Sequence, residues 1–193
     1  MLQIHIGGTK RSGKTTIAKS LVVALERIGL RPVLLDVDEV RTEIFGGLTG
    51  MPDSEESLRF HRWTMSAIFE ALIPRVVRSG GLPIVVAGHS RIEYYQDAVR
   101  LSEHLGTELR FLLVEAPTIE EAARRAGQMK ADDRSDMRDF SNPDIQEAFL
   151  NAIRRIKADY ALVADARLFR IPQGTPEEMF NLAFSATLKS PGQ

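Results

Sequence analysis

The run Gly8-Thr-Lys-Arg-Ser-Gly13-Lys14-Thr15 sets two glycines five residues apart, directly before a lysine and a threonine. Glycines at that spacing let the backbone curl so that successive N–H groups turn inward, where they cradle phosphate oxygens. Lys14 then reaches the β- and γ-phosphates of a nucleoside triphosphate, and the Thr15 hydroxyl is placed to ligate Mg²⁺. Contacts to the triphosphate are expected from Gly8, Lys10, Ser12, Gly13, Lys14, Thr15 and Thr16, a Walker A pattern. A second constellation follows in Leu35-Asp36-Val37-Asp38-Glu39-Val40-Arg41. Its two carboxylates at i and i+2 stand just past the C-terminal end of a strand, where open α/β sheets place their ligands. Facing the γ-phosphate, Asp38 would accept the proton of an attacking hydroxyl, and Arg41, one helical turn on, would bind an anionic group of that acceptor. Asp36, nearer the sheet, would orient Mg²⁺ or its waters. The same acids also suit a helix start, whose dipole favours carboxylates.

Further candidates surround these two. His89, Ser90 and Arg91 follow an apolar run; Ser90 reads as a helix cap, His89 and Arg91 as contacts to acceptor or phosphate. Residues 127–141, GQMKADDRSDMRDFS, are charged and weakly periodic between two capped helices. A loop of that length in a compact domain is a functional lid or a disordered excursion. Arg124, Arg125, Lys130 and Arg134 sit at or inside it, and Asp132, Asp133 and Asp136 leave the region nearly neutral. Phe45, Phe60 and Trp63 suit either stacking on a planar acceptor or a cleft wall. His5, His61 and His104 have no partners at metal-ligand spacing and read as structural or surface residues.

The elements that must position these groups are legible in the periodicity. Gln3 to Ile6 reads as a strand leading into the glycine-rich turn. Ile17, Leu21, Ala24, Leu25 and Ile28 recur at helical spacing, with Gly29 as the stop. Pro32 to Leu35, ending at Asp36, is a second strand; Leu82 to Ala87, Leu109 to Val114 and Leu168 to Ile171 are three more. Ser54 to Ser79 is a long helix that Pro74 should kink or break. Ser90-Arg-Ile-Glu93, Thr118-Ile-Glu-Glu121 and Thr175-Pro-Glu-Glu178 have capping-box spacing, and Asn142-Pro143 reads as a cap with proline at the first helical position. Strands alternating with helices imply a parallel sheet covered on both faces. The Phe60–Ile73 stretch carries enough apolar residues for a core or for a homodimer contact.

Composition bounds what such a site can serve. The chain has 193 residues, 44% hydrophobic and 26% charged, which is the make-up of one globular domain. A net charge of −1 argues against general polyanion binding, so nucleic acid is an unlikely partner. The absence of cysteine removes disulfides, thiolate metal sites and cysteine nucleophiles. No stretch has the apolar length of a signal peptide or a membrane span, and a cytoplasmic protein is expected.

The loop Gly8–Thr15 and the run Asp38-Glu-Val-Arg41 resemble the small P-loop kinases that include adenylylsulfate kinase, shikimate kinase and the kinase domain of polynucleotide kinase. LDVDEVR is close to the adenylylsulfate-kinase form, and Ser54-Glu-Glu56 is similar to the start of that family's next helix. The resemblance spans about residues 1–185 in layout and about the first 45 in motifs. It implies an α/β, three-layer P-loop NTPase fold: a five-stranded parallel sheet ordered 2-3-1-4-5, helices on both faces, and a lid. It implies an ATP- and Mg²⁺-dependent phosphotransferase acting on a hydroxyl of a small-molecule acceptor, with Asp38 as the base and Arg41 holding that acceptor. Lid arginines, of which Arg125 and Arg134 are the choices, would stabilise transferred charge and exclude water. Gln173-Gly174-Thr175 falls where that family touches adenine through its backbone. The chain departs from the pattern after the third strand, where Ala87-Gly88-His89-Ser90-Arg91 supplies no acid, and in the arginine spacing of the long helix, where Arg59, His61 and Arg62 stand. A 5′-hydroxyl polynucleotide kinase and a non-catalytic nucleotide-binding switch are the alternatives.

Overall fold

The computed structural model describes residues 1–45, 55–88, 91–128, 140 and 142–189. In chain order the elements are β1 (Leu2–Gly8), α1 (Lys14–Arg27), β2 (Pro32–Asp36), α2 (Val37–Phe45), α3 (Glu55–Ala67), a π-helical turn (Ile68–Leu72), α4 (Ile73–Arg78) and β3 (Leu82–Val86). They continue as α5 (Ile92–Leu105), β4 (Glu108–Val114), α6 (Ile119–Gly127), α7 (Pro143–Ala161), β5 (Leu168–Ile171) and α8 (Pro176–Leu188). The five strands form one parallel sheet in the order β2-β3-β1-β4-β5.

Alternate residues of each strand serve opposite faces. Ile4 and Ile6 of β1 join Ile84, Leu112 and Val114 under α1 and α8, whose Ile17, Leu21, Leu25, Met179 and Ala183 close that layer. On the other face Val85 meets Met65, Ile68 and Ile73, while Phe111 meets Tyr95, Ile156 and Tyr160. The apolar stripe of Phe60–Ile73 is therefore used in the core. The long helix expected over residues 54–79 passes through a π-helical turn that ends just before Ile73-Pro74. Pro74 lacks the N–H that a regular turn would use, and the wider turn precedes that gap. No helix among the described residues is long and apolar enough to cross a membrane.

The caps test the local readings. Thr175 and Glu178 form a full reciprocal capping box, and the Asn142 and Thr118 side chains each accept a first-turn N–H. Glu121 does not reach back to its cap, because Arg124 and Arg125 hold it. The expected Ser90 cap lies outside the described residues. Arg91 occupies the N-cap position of α5, without a side-chain cap bond, and the helix begins at Ile92.

His5 lies in β1 with no exposed surface, edge-on to Phe69 at 5.5 Å and stacked with Phe111 at 6.3 Å. Burial pushes its pKa down to about 3. The unfolded chain therefore binds this proton at a higher pH than the folded one, so stability falls as pH drops below about 6.5, by roughly 1.4 kcal/mol per pH unit. In urea unfolding at pH 6.5 and pH 5, wild type should lose about 2 kcal/mol more than His5→Leu over that interval. Equal losses in the two proteins would show that another group carries the acid sensitivity.

Candidate active site

The glycine-rich loop joins the end of β1 to the start of α1. Gly8 has φ +143°, and a Cβ there would lie 2.4 Å from the Val114 carbonyl oxygen. Gly13, at φ 95° and ψ 10°, holds the N-cap position of α1. No side chain caps this helix and no acid stands in its first turn. Its opening N–H groups and the positive end of its dipole are thus left for an anion. Lys14 Nζ donates to the Thr9 carbonyl oxygen at 2.6 Å, folding the ammonium over the loop. The buried hydroxyls of Thr9 and Ser12 have no hydrogen-bond partner among the described residues. The loop offers amide, ammonium and hydroxyl donors and no carboxylate, a donor set that fits a polyphosphate. Thr15 is half-buried, whereas Lys10 and Thr16 are exposed.

Asp36 ends β2 and is only 6% exposed. One carboxylate oxygen accepts the Thr15 hydroxyl at 3.2 Å; the other accepts the Asp38 backbone N–H at 3.0 Å. The acid therefore caps α2 and is tied to the glycine-rich loop at once. Its strand register explains the reach. Asp36 pairs with Val86, the last residue of β3, so its carboxylate stands beside the strand end that carries no acid of its own. A hydroxyl, a carboxylate and phosphate oxygens are the sparse set on which Mg²⁺ commonly sits, keeping several waters. Among the described residues no group of three or more His, Asp or Glu offers a fuller cage.

Asp38 lies in the first turn of α2 with its side chain 69% exposed, paired at 2.8 Å with Arg41, whose side chain is 17% exposed. Farther along α2, Phe45 meets Phe60 at 4.6 Å and Trp63 at 6.1 Å, and Arg59 lies 5.2 Å above the Trp63 ring. These rings pack on one another and form a wall. Arg91 follows β3 at the head of α5, and its carbonyl accepts the Tyr160 hydroxyl at 3.4 Å.

Arg125 reaches the loop from α6. Its Nη1 donates to the Arg11 carbonyl oxygen at 2.8 Å and its Nε to Glu121 at 2.6 Å. Arg124 instead shares Glu121 on the surface, and hydrogen bonds from Arg124 and then Arg125 hold the Glu121 pKa down at about 2. His89, Ser90, Lys130, Asp132, Asp133, Arg134 and Asp136 lie outside the described residues, as does the expected lid apart from residues 127, 128 and 140.

A family model, AAA_33 (AAA domain), matches residues 4–165. The chain belongs to this P-loop kinase family. A protein of Archaeoglobus fulgidus named "Probable adenylyl-sulfate kinase" is 35% identical over 82 residues, 42% of this chain and 48% of that protein. The chain thus spans about half the length of that relative. A crystal structure of a "putative kinase" from Chloroflexus aurantiacus J-10-fl aligns with TM-score 0.67 and 17% identity, covering 97% of this chain and 98% of the other. The crystal structure of APE1195 aligns at TM-score 0.63 and 20% identity, covering 96% and 94%. At these identities the likeness is one of fold. The five-stranded parallel sheet and its strand order are those of P-loop kinases.

Two side chains that the sequence discounted, Gln173 and His61, make contacts that local pattern does not show. Gln173, where only backbone contact is expected, donates through Nε2 to the carbonyls of Ser12, at 3.2 Å, and Glu115. It ties the loop after β5 to the phosphate loop, across 161 residues, which no local pattern could reveal. His61 stands on α3, which packs on α2, and its ring meets Tyr94 edge-on at 5.6 Å; burial first, then the charge of Arg41, holds its pKa below the ordinary histidine value. A cavity of ≈ 360 Å³ opens between the loop and α7, lined by Thr9, Lys10, Gly88, Phe149 and Arg155. A larger groove of ≈ 880 Å³ between α3–α4 and α5 is lined by Arg62 and His104 but by none of the residues expected at the triphosphate or the acceptor.

Proposed function

We propose that the protein is an ATP- and Mg²⁺-dependent phosphotransferase, adenylyl-sulfate-kinase-like, that moves the γ-phosphate to a hydroxyl of a small acceptor. One observation carries this reading: the Asp36 carboxylate bonds both the P-loop Thr15 and the backbone N–H of Asp38. The exposed acid is thereby held in a fixed relation to the triphosphate loop, as in-line transfer requires. The acceptor oxygen attacks the γ-phosphorus while the bond to the β–γ bridging oxygen breaks, ADP leaves, and the hydroxyl proton passes to Asp38. Lys14 and the N-terminal end of α1 hold the phosphates, and Arg41 holds the acceptor. Thr15 and Asp36 would hold Mg²⁺, which when bound neutralises phosphate charge. Arg125, already docked on the loop, has the charge to steady the transferred group.

The test is ADP release from Mg-ATP against adenylyl sulfate, nucleosides, small alcohols, sugars and a 5′-hydroxyl oligonucleotide. At least one small acceptor should raise release about tenfold or more above the acceptor-free rate, since water is the poorly positioned alternative nucleophile. Tight ATP binding with no acceptor response would favour the nucleotide-binding switch, and a response to the oligonucleotide alone would favour a polynucleotide kinase.

A further inference from the structure

The turn Thr9-Lys10-Arg11-Ser12 opens the phosphate loop, and the Ser12 N–H closes it on the Thr9 carbonyl at 3.4 Å. Arg11, its third residue, has φ 62° and is the one non-glycine residue with a positive φ among the described residues. That place in a turn, at that φ, favours glycine or asparagine, because a Cβ there crowds the backbone. An arginine stays in such a conformation where its surroundings hold it. A holding contact comes from α6, 114 residues away. Arg125 donates from Nη1 to the Arg11 carbonyl oxygen at 2.8 Å and from Nε to Glu121 at 2.6 Å. One planar guanidinium thus bridges a helical carboxylate and the loop backbone. Two neighbouring carbonyls are held likewise: Lys14 Nζ donates to the Thr9 oxygen at 2.6 Å, and Gln173 Nε2 to the Ser12 oxygen at 3.2 Å. A trans peptide unit carries its C=O and N–H on opposite sides, so a donor that holds a carbonyl also aims the next residue's N–H.

We propose that Arg125, braced by Glu121, is a positioning residue of the phosphate loop: it pins Arg11 in the left-handed conformation and so holds the loop in its phosphate-binding shape before a nucleotide arrives. This role is distinct from lending charge to the transferred phosphate. The guanidinium is already paired with Glu121, and its reach to the loop ends on a carbonyl. What it supplies is population. Once Arg11 is released, the fraction of molecules with a competent loop falls, and apparent affinity falls by that same fraction. The loss touches every nucleotide that uses the loop, ADP as well as ATP. A glycine at position 11 enters φ > 0 at no steric cost, so it removes the need for the pin. The inference rests on a nucleotide occupying this loop, which the phosphotransfer reading shares, and on no acceptor.

Calorimetric titration of the full chain with Mg-ADP and with Mg-ATP is the test. Arg125→Met should weaken both by the same factor of about ten, the size of the left-handed penalty of an L-residue. Arg125→Lys keeps the charge but not the planar fork that bridges two acceptors, so it should lose nearly as much. Arg11→Gly alone should bind within about threefold of wild type, and Arg11→Gly/Arg125→Met within about threefold of Arg11→Gly. A merely structural Arg125 would give no such rescue. Should Arg125→Met fail to fold, Glu121→Ala removes the brace from α6, and it should weaken both nucleotides in the same ratio, again rescued by Arg11→Gly. An equal loss in the two backgrounds overturns the pin. So does an unchanged ADP affinity with turnover alone reduced, which leaves Arg125 its charge role. Wild type that binds neither nucleotide would remove this inference and the phosphotransfer reading together. Binding that depends on the pin, in a protein that no acceptor stimulates, would leave the pin standing and remove the phosphotransfer reading.

Discussion

Asp38→Asn should lower acceptor-stimulated ADP release by about 10²–10⁴-fold while leaving ATP affinity within about twofold, the span of a positioned general base. The split follows from where the residue sits. Asp38 is exposed at the start of α2, and its side chain pairs with Arg41, not with the phosphate loop. Asparagine keeps the shape, can still accept from Arg41, and leaves the backbone N–H on Asp36 untouched. What disappears is the capacity to take a proton and to orient a hydroxyl by charge. In a loose phosphoryl transition state the nucleophile has formed little bond, so holding that hydroxyl in line is as important as deprotonating it. Asp36→Asn is the informative partner, because it weakens the Thr15 link and removes the carboxylate proposed for Mg²⁺. That variant should raise the Mg²⁺ requirement, whereas Asp38→Asn should not. Calorimetric titration of Mg-ATP beside the turnover assay separates the two. If Asp38→Asn retains turnover within tenfold of wild type, the acid is only a helix-start residue and the proton has another acceptor.

How much of this was readable beforehand depends on the range of the interaction that fixes each feature. β5 matches its predicted span, and the other four strands differ by at most two residues at either end, because buried parallel strands write themselves as continuous apolar runs. Caps built from one side chain and a near N–H, such as Thr175 with Glu178, are equally local. Helix α5 begins at Ile92 rather than directly after Ser90, with Arg91 at its N-cap position and the Tyr160 hydroxyl of α7 on the Arg91 carbonyl, a contact across 69 residues. The P-loop and the Asp36–Asp38 pair were legible because strand, turn and helix follow within a few residues. The β2–β3 register, which sequence does not give, sets Asp36 against Val86, beside the strand end that Ala87-Gly88 follows without an acid. His61 looked inert because a histidine is judged in sequence by its own spacing, and its neighbours come from two other elements. Gln173 was discounted for the same reason.

Gly8→Ala should be the most damaging small change in the loop, destabilising the fold by roughly 3–5 kcal/mol, which for a chain of this size lowers Tm by about 6–20 °C. Two separate faults combine. The φ of +143° is a conformation that an L-residue with a Cβ rarely adopts. The new methyl would also stand 2.4 Å from the Val114 oxygen and 3.1 Å from Ser12 Oγ. The Ser12 hydroxyl has no hydrogen-bond partner among the described residues to hold it, but Val114 does not yield. Its strand pairs with β1 at Gly8 and with β5 at Ile171, and the next residue, Glu115, donates its N–H to the Ile171 carbonyl at 2.9 Å. Relief must therefore come from moving the loop itself, which also displaces the start of α1 and weakens nucleotide binding. Gly29→Ala isolates the first fault: φ is +82° there, and nothing lies within 4 Å of the added Cβ. It should cost only about 1–2 kcal/mol and leave ATP affinity unchanged. Thermal unfolding and ATP titration of the two variants side by side decide the matter. A Gly8→Ala protein no less stable than Gly29→Ala would mean that the strand end can open, and that the close approach of β1 to β4 is not what shapes the phosphate loop.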